Sequence, residues 1–91
     1  MKINNIWIFS NKNTILGAFY QKELAEIFIK KYSLSGTLTA YPINEPIYEW
    51  SIENEFFAPK NIDEKKAKFI ESFTTDKIPT FNYKEGILSR E

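Results

Sequence analysis

The side chains in this sequence that could do chemistry are almost all carboxylates. The chain has no histidine and no cysteine, which excludes a Ser-His-Asp triad, an imidazole base, a thiolate nucleophile and the commonest zinc sites. Its basic residues are lysines except for Arg90, near the C-terminus, so a guanidinium clamp for phosphate has no obvious source. Its three glycines are too far apart to form a phosphate-binding loop.

A carboxylate pair alone can hydrolyse glycosides or hold magnesium. Such a site usually needs a deep cleft that shifts a pKa, and 91 residues leave little volume for one. We therefore expect the chain not to be an enzyme, with no catalytic residues, no metal site and no cofactor.

The strongest local charge bias lies between positions 45 and 64, where six acidic residues stand against one base, Lys60. Glu45, Glu49 and Glu53 are spaced by four, which places successive carboxylates about 40° apart around a helix and on one side of a strand. Like charges at this spacing cost a few tenths of a kcal/mol in a helix, about 0.2–0.5 per pair. One interpretation is a negative surface that meets a basic partner, with aromatic anchors nearby. The candidate partner-binding residues are Glu45, Glu49, Glu53, Glu55, Tyr48, Phe56 and Phe57.

Two other interpretations concern the same part of the chain. The carboxylates could form a solvated face opposite a buried ridge of Tyr48, Trp50 and Ile52. A basic patch could instead stack the bases of a single nucleic-acid strand. That patch consists of Lys65, Lys66 and Lys68 with Phe69, Phe73, Phe81 and Tyr83. Acidic neighbours offset these lysines and the rings alternate as core residues do, so we do not expect nucleic acid to be the partner.

Length and composition indicate a single domain over residues 1–91. The chain is 43% apolar and 16% aromatic with a net charge of zero, so disorder is not expected and bulk charge favours neither nucleic acid nor a membrane. The apolar run at 6–9 is far too short for a signal peptide or a spanning helix. With no cysteine for crosslinks, we expect a cytoplasmic protein.

The elements that would position the carboxylates begin with a hairpin and a helix. Residues 5–10 are apolar on both faces, which predicts a central strand, and a polar turn leads to a second strand at 15–20 with a bulge at Gly17. Residues 21–32 have the periodicity of an amphipathic helix. Its apolar stripe is Leu24, Ala25, Phe28, Ile29 and Tyr32.

The acidic region follows a third strand at 37–42, which alternates and ends at a proline. Beyond it we favour a short helix over 46–55, capped by Asn44 and with Pro46 in its first turn. The alternation of Tyr48, Trp50 and Ile52 leaves a strand as the alternative.

In the last third of the chain, the sequence predicts a charged connection at 60–68 with a helical turn. It then predicts strands at 68–74 and 80–84 that form a second hairpin. Residues 86–91 are expected to fray. The predicted fold is α+β: an antiparallel sheet of about four or five strands, one main helix at 21–32 packed on it, and the short helix at 46–55.

Several segments resemble a small bacterial domain family of unknown function: SGTLTAYP at 35–42, YEWSIE at 48–53, FAPK at 57–60, the strand at 6–9 and Phe69-Ile70. The resemblance covers most of the chain and carries no catalytic motif. It implies a short stand-alone protein, and some members resemble immunity proteins of bacterial toxin systems, including contact-dependent inhibition. The family pattern has a small residue, often glycine, in place of Glu55 and alanine in place of Ser51.

Two functional hypotheses follow. The first is an immunity protein, a cytoplasmic inhibitor that binds a cognate toxin domain through the acidic, aromatic surface. The second is a structural or regulatory interaction domain without a toxin, such as a homodimer that pairs exposed strand edges or aromatic residues. Both give a protein partner and no membrane, and the sequence leaves the oligomeric state open.

Overall fold

The computed structural model describes residues 4–89, which form five strands, three α-helices and one 3-10 helix. In chain order these are β1 (Asn5–Asn11), β2 (Thr14–Phe19), α1 (Lys22–Lys31), β3 (Gly36–Pro42), α2 (Ile47–Glu53), the 3-10 helix (Ile62–Lys65), α3 (Ala67–Glu71), β4 (Thr80–Lys84) and β5 (Ile87–Leu88). The α+β prediction is confirmed.

The strands form one antiparallel sheet in the order β2-β1-β3-β4-β5. The predicted hairpin of the first two strands is present, and β1 lies between β2 and β3 as its two apolar faces indicated. Phe9 pairs with Gly17 whereas Ser10 pairs with Ile15, so Leu16 is an extra residue on β2. The bulge therefore lies beside Gly17, where the sequence placed it.

The main helix, α1, covers the sheet through the middle of its apolar stripe. Ala25 and Ile29 are fully buried against Phe9, Leu38 and Tyr83. Phe28 is partly buried and packs against Phe19 with the two rings tilted and their centroids 5.9 Å apart. Leu24 and Tyr32, which the sequence assigned to the same stripe, are half or more exposed. A stripe five positions wide is broader than the contact that a single short helix makes with a sheet.

The predicted strand at 68–74 is wrong, because this segment contains the helix α3 and leaves the second hairpin without its first strand. Phe69 and Phe73 are four residues apart, a spacing that returns to the same side in a helix as well as in a strand. The hydrophobic pattern alone could not separate the two structures.

The predicted frayed tail is also wrong in part, because β5 pairs with β4 through Tyr83–Leu88 and Lys84–Ile87. The two strands are joined by the turn Glu85-Gly86, whose φ angles are 51° and 84°. Two consecutive residues with positive φ form the tight turn that suits a two-residue hairpin. The tail residues 90–91 lie outside the described part.

The described residues group into two compact units. The sheet unit comprises residues 4–43 and 78–89, which include all five strands and α1, and the helical unit comprises residues 44–77, which include the remaining helices. The single-domain expectation for the whole chain stays a prediction.

Both longer helices end in the same type of cap with a non-glycine residue in the left-handed region. After α1, Ser33 has φ 52°, and the amides of Ser33 and Leu34 donate to the carbonyls of Lys30 and Ile29 at 3.2 and 2.9 Å. This is a Schellman motif, in which glycine is the usual residue at the left-handed position. A side chain there costs conformational energy that glycine would not.

We predict that Ser33→Gly stabilises the protein by about 0.5–1 kcal/mol, because the left-handed strain exceeds the extra chain entropy that glycine loses. Chemical denaturation would measure the change. The matched control is Lys30→Gly, within α1 and exposed, which should cost about 1 kcal/mol because its backbone is helical. Equal destabilisation by both changes would contradict the interpretation.

Tyr83 is a buried residue of the sheet core with a polar partner on α1. Its hydroxyl donates to Glu26 Oε2 at 2.9 Å, and Lys22 Nζ lies 3.9 Å from the same carboxylate oxygen. Burial, the hydrogen bond to Glu26 and the negative charge of that carboxylate together raise the pKa of Tyr83 to about 12.

We predict that one tyrosine ionises near pH 12 in an ultraviolet titration of the folded protein and that Tyr83→Phe removes this step. Since the pKa is higher in the folded state than in the unfolded chain, its contribution to stability is intact below about pH 10 and is lost as the pH rises towards 12. A titration in which every tyrosine ionises near 10 would contradict this.

Candidate functional site

The carboxylates predicted from the sequence as a binding site lie at the start of the helical unit, on α2 and just before it. Asn44 has φ 62° and does not cap the helix, so that part of the sequence-based assignment is wrong. Pro46 is extended and is itself the residue before the first turn, and its carbonyl accepts from the Trp50 amide at 2.8 Å. Proline suits this boundary because it has no amide hydrogen to leave unpaired. The helix favoured for 46–55 is confirmed over Ile47–Glu53.

Glu45, Glu49 and Glu53 line one cavity of about 310 Å³ together with Ile52. Only Glu49 and Glu53 belong to α2, and Glu45 reaches the same cavity from the extended chain before it. Glu49 and Glu53 are exposed, while Glu45 is partly exposed. The lining contains no lysine or arginine. We call these three carboxylates the acidic face.

One carboxyl group of the acidic face, that of Glu45, has a raised pKa. A hydrogen bond to the Glu53 carboxyl raises the pKa of Glu45, and desolvation and the negative charges of Glu53 and Glu49 act in the same direction. A cation placed in the cavity would offset the repulsion among the carboxylates and lower the pKa of Glu45.

The end of α2 is shaped by Glu55, another of the predicted site residues. Glu55 has φ 63°, its amide donates to the Ile52 carbonyl at 3.0 Å, and the Phe56 amide donates to the Ser51 carbonyl at 2.8 Å. This is the same Schellman motif that ends α1. Glycine at this position, as in the pattern that the sequence resembles, would adopt the left-handed conformation without strain. Glu55 does not line the cavity of the acidic face.

Phe56 lies immediately after this cap and contacts Trp50, with ring centroids 5.4 Å apart. A hydrophobic contact between these two positions commonly accompanies a Schellman motif. Phe56 is nevertheless 47% exposed, which leaves much of its surface open to a partner.

Tyr48 and Phe57, predicted as aromatic anchors, pack inside the helical unit. Their rings lie 5.8 Å apart and contact Phe69 and Phe73 of the segment around α3. The Tyr48 hydroxyl also donates to the Glu64 carbonyl at 2.6 Å. All four rings are partly buried. We call Tyr48, Phe57, Phe69 and Phe73 the ring cluster, and it holds the short helices of this unit together.

The aromatic residues of the basic patch, considered above as a nucleic-acid site, belong to two different units of the structure. Phe69 and Phe73 belong to the ring cluster, whereas Phe81 and Tyr83 lie on β4 in the core of the sheet unit. Lys66 pairs with Asp63 at 3.2 Å. The rings that would stack bases are therefore used in two separate sets of internal contacts.

The fold also forms a larger cavity that the sequence did not indicate. About 610 Å³ in volume, it lies in the sheet unit between α1 and the β4–β5 hairpin, and its lining includes Glu26, Lys30, Tyr83 and Ile87. It could not be anticipated once 86–91 was assigned to a frayed tail. Within residues 4–89, no group of three or more carboxylates is arranged to hold a metal ion. No helix in the same range combines the length and the apolar character needed to cross a bilayer.

A family model for a domain of unknown function, DUF7710, matches residues 6–89, which is nearly the whole chain. The chain belongs to the DUF7710 family. The match agrees with the resemblance to a family of unknown function noted from the segments around 35–42 and 48–53. No significant match was found among curated proteins or among solved structures.

We predict that the stability of this DUF7710 domain falls relative to that of a Glu45→Gln variant as the pH rises from about 4.5. The pKa of Glu45 is raised in the folded state, so its favourable contribution exists below the unfolded value and is lost as the carboxyl ionises beside Glu53 and Glu49. Denaturant unfolding of both proteins across this range measures the difference.

The matched control for this experiment is Glu71→Gln, which makes the same change outside the acidic face. A wild-type profile that stays parallel to the Glu45→Gln profile from about pH 4 to about pH 7 would contradict the raised pKa of Glu45.

Proposed function

We propose that this DUF7710 domain is a bacterial immunity protein: a cytoplasmic, non-catalytic inhibitor that binds a cognate toxin domain through the acidic face. The observation that carries the proposal is the convergence of Glu45, Glu49 and Glu53 on one cavity with no basic residue in its lining. Systems of contact-dependent growth inhibition are one setting for such a protein.

The carboxylates of the acidic face interact unfavourably with one another when no partner is bound. The hydrogen bond to Glu53 is the main cause of the raised pKa of Glu45, and desolvation and repulsion from Glu53 and Glu49 add to it. The cavity lining holds one apolar residue, Ile52, and no base. A lysine or arginine side chain from a partner would satisfy both features, since its charge pairs with the carboxylates and its methylene stem covers the apolar surface. A toxin that acts on nucleic acid would present such basic side chains at its own active site.

Phe56 follows Glu53 by three residues and is exposed, which supports a role for this segment in binding. Aromatic residues often provide a large share of the binding energy at protein interfaces, while charges set the rate of association. Tyr48 and Phe57 have a different role in this proposal, because their packing in the ring cluster fixes the position of α2.

The sequence has no histidine and no cysteine, which supports a protein that acts by blocking the active site of another protein. An inhibitor needs shape and charge, and it needs no group with catalytic chemistry. The proposed partner is a protein with a basic active-site surface.

We predict that the triple variant Glu45→Lys, Glu49→Lys and Glu53→Lys binds its cognate toxin domain at least about tenfold more slowly at low salt, because electrostatic steering changes from attraction to repulsion. High salt should reduce the difference. Stopped-flow association and survival of cells that co-express the toxin are the measurements.

The matched control changes the same number of charges at exposed carboxylates elsewhere: Glu23→Lys, Glu71→Lys and Glu85→Lys. This control should retain most of the association rate and should protect cells. Full protection and unchanged association by the acidic-face variant would overturn the proposed site. Turnover of any substrate by the purified chain would overturn the proposed class of function.

A further inference from the structure

The two edges of the five-stranded sheet differ in how they are protected. One edge is β5, with two residues beside a turn that contains Glu85, and the strand that precedes this turn ends in Lys84. Short edge strands and nearby charges are the usual means by which proteins prevent edge-to-edge pairing. The other edge is β2, which has six residues and no further strand beside it within residues 4–89.

The composition of β2 is that of an interior strand. No charged residue and no proline occurs between Lys12 and Lys22, although 26% of the chain is charged. The neighbouring interior strands β1 and β3 are likewise free of charge. Ile15 is 69% exposed, and Leu16 and Ala18 are exposed as well. An edge strand with these properties is typical of one that another chain covers in the assembled protein.

The bulge at Leu16 is the one feature of β2 that could discourage pairing. It lies towards the hairpin turn, and the register from Gly17 to Phe19 is regular against β1. In a strand paired on one side only, alternate backbone amides and carbonyls point away from the partner. The free edge therefore offers backbone hydrogen-bonding groups next to exposed aliphatic side chains.

We propose that β2 pairs antiparallel with β2 of a second copy of this chain, about a two-fold axis, so that two sheets join into one. The absence of charge on β2 favours this occupant. A two-fold axis brings a strand against its own sequence, so a charged residue near the axis would oppose its own copy, and β2 has none. Each copy has one such edge, so the assembly closes as a dimer.

This pairing is independent of the proposed immunity function. The acidic face lies at residues 45–53 and β2 at residues 14–19, so separate variants test the two surfaces. Failure of the acidic-face variants would leave the dimer in place, and loss of the dimer would leave the acidic face intact.

The chain offers a closely matched pair of variants for the test. Ile15 and Ile87 are both isoleucines on edge strands at opposite ends of the sheet, and they are 69% and 71% exposed. Sedimentation velocity of the wild type, Ile15→Lys and Ile87→Lys, from micromolar to submillimolar concentration, measures the dimer dissociation constant of each. Circular dichroism confirms that each variant is folded.

The wild type should sediment as a dimer at high concentration, Ile15→Lys should raise the dissociation constant at least about tenfold, and Ile87→Lys should change it by less than about twofold. A wild type that stays monomeric throughout would overturn the proposal. A larger effect of Ile87→Lys than of Ile15→Lys, or assemblies that grow beyond the dimer, would overturn it too, because another surface would then be responsible.

Discussion

The arrangement of the helical unit depends on the packing of three phenylalanine rings around Tyr48. Its α-helices have seven and five residues, which is too short for either to persist through its own hydrogen bonds. The Tyr48 ring contacts Phe57, Phe69 and Phe73, and its hydroxyl donates to the Glu64 carbonyl. These contacts fix α2, and α2 places Glu49 and Glu53 beside the same cavity as Glu45. The ring cluster is therefore what makes a stable acidic face from a short segment of chain.

The sheet unit is stabilised instead by a longer helix packed on a sheet. Phe9 on β1 and Leu38 on β3 are fully buried beneath Ala25 and Ile29 of α1. Tyr83 joins this core and links it to the helix through Glu26. In both units a tyrosine thus combines a buried ring with a hydroxyl that bonds to another element, which adds direction to otherwise non-directional packing.

Left-handed backbone conformations at residues other than glycine are a recurring property of the chain. Lys12, Ser33, Asn44, Glu55 and Glu85 all have positive φ angles. Ser33 and Glu55 end helices, and Lys12 and Glu85 lie in hairpin turns. The sequence has three glycines, so most of its turns use side chains that are strained there. At Glu55 this strain accompanies an additional carboxylate near the acidic face.

The sequence by itself determined the α+β class, the first hairpin with its bulge, the main helix and the short helix that bears the carboxylates, because each has a clear hydrophobic period or turn signal. It also indicated that Glu49 and Glu53 share a side of α2, since a spacing of four is co-facial in a helix. Glu45 precedes that helix, and only the tertiary structure shows that it reaches the same cavity. The same spacing of four, which is co-facial in a strand as well, misassigned Phe69 and Phe73, and only tertiary contacts with Tyr48 and Phe57 decide that their segment is helical. Tertiary structure alone also decided that Tyr48 and Phe57 are internal, that β5 completes the sheet and that β2 is left at its edge. Periodicity shows which residues lie on one side of an element, whereas burial depends on what other parts of the chain place against that side.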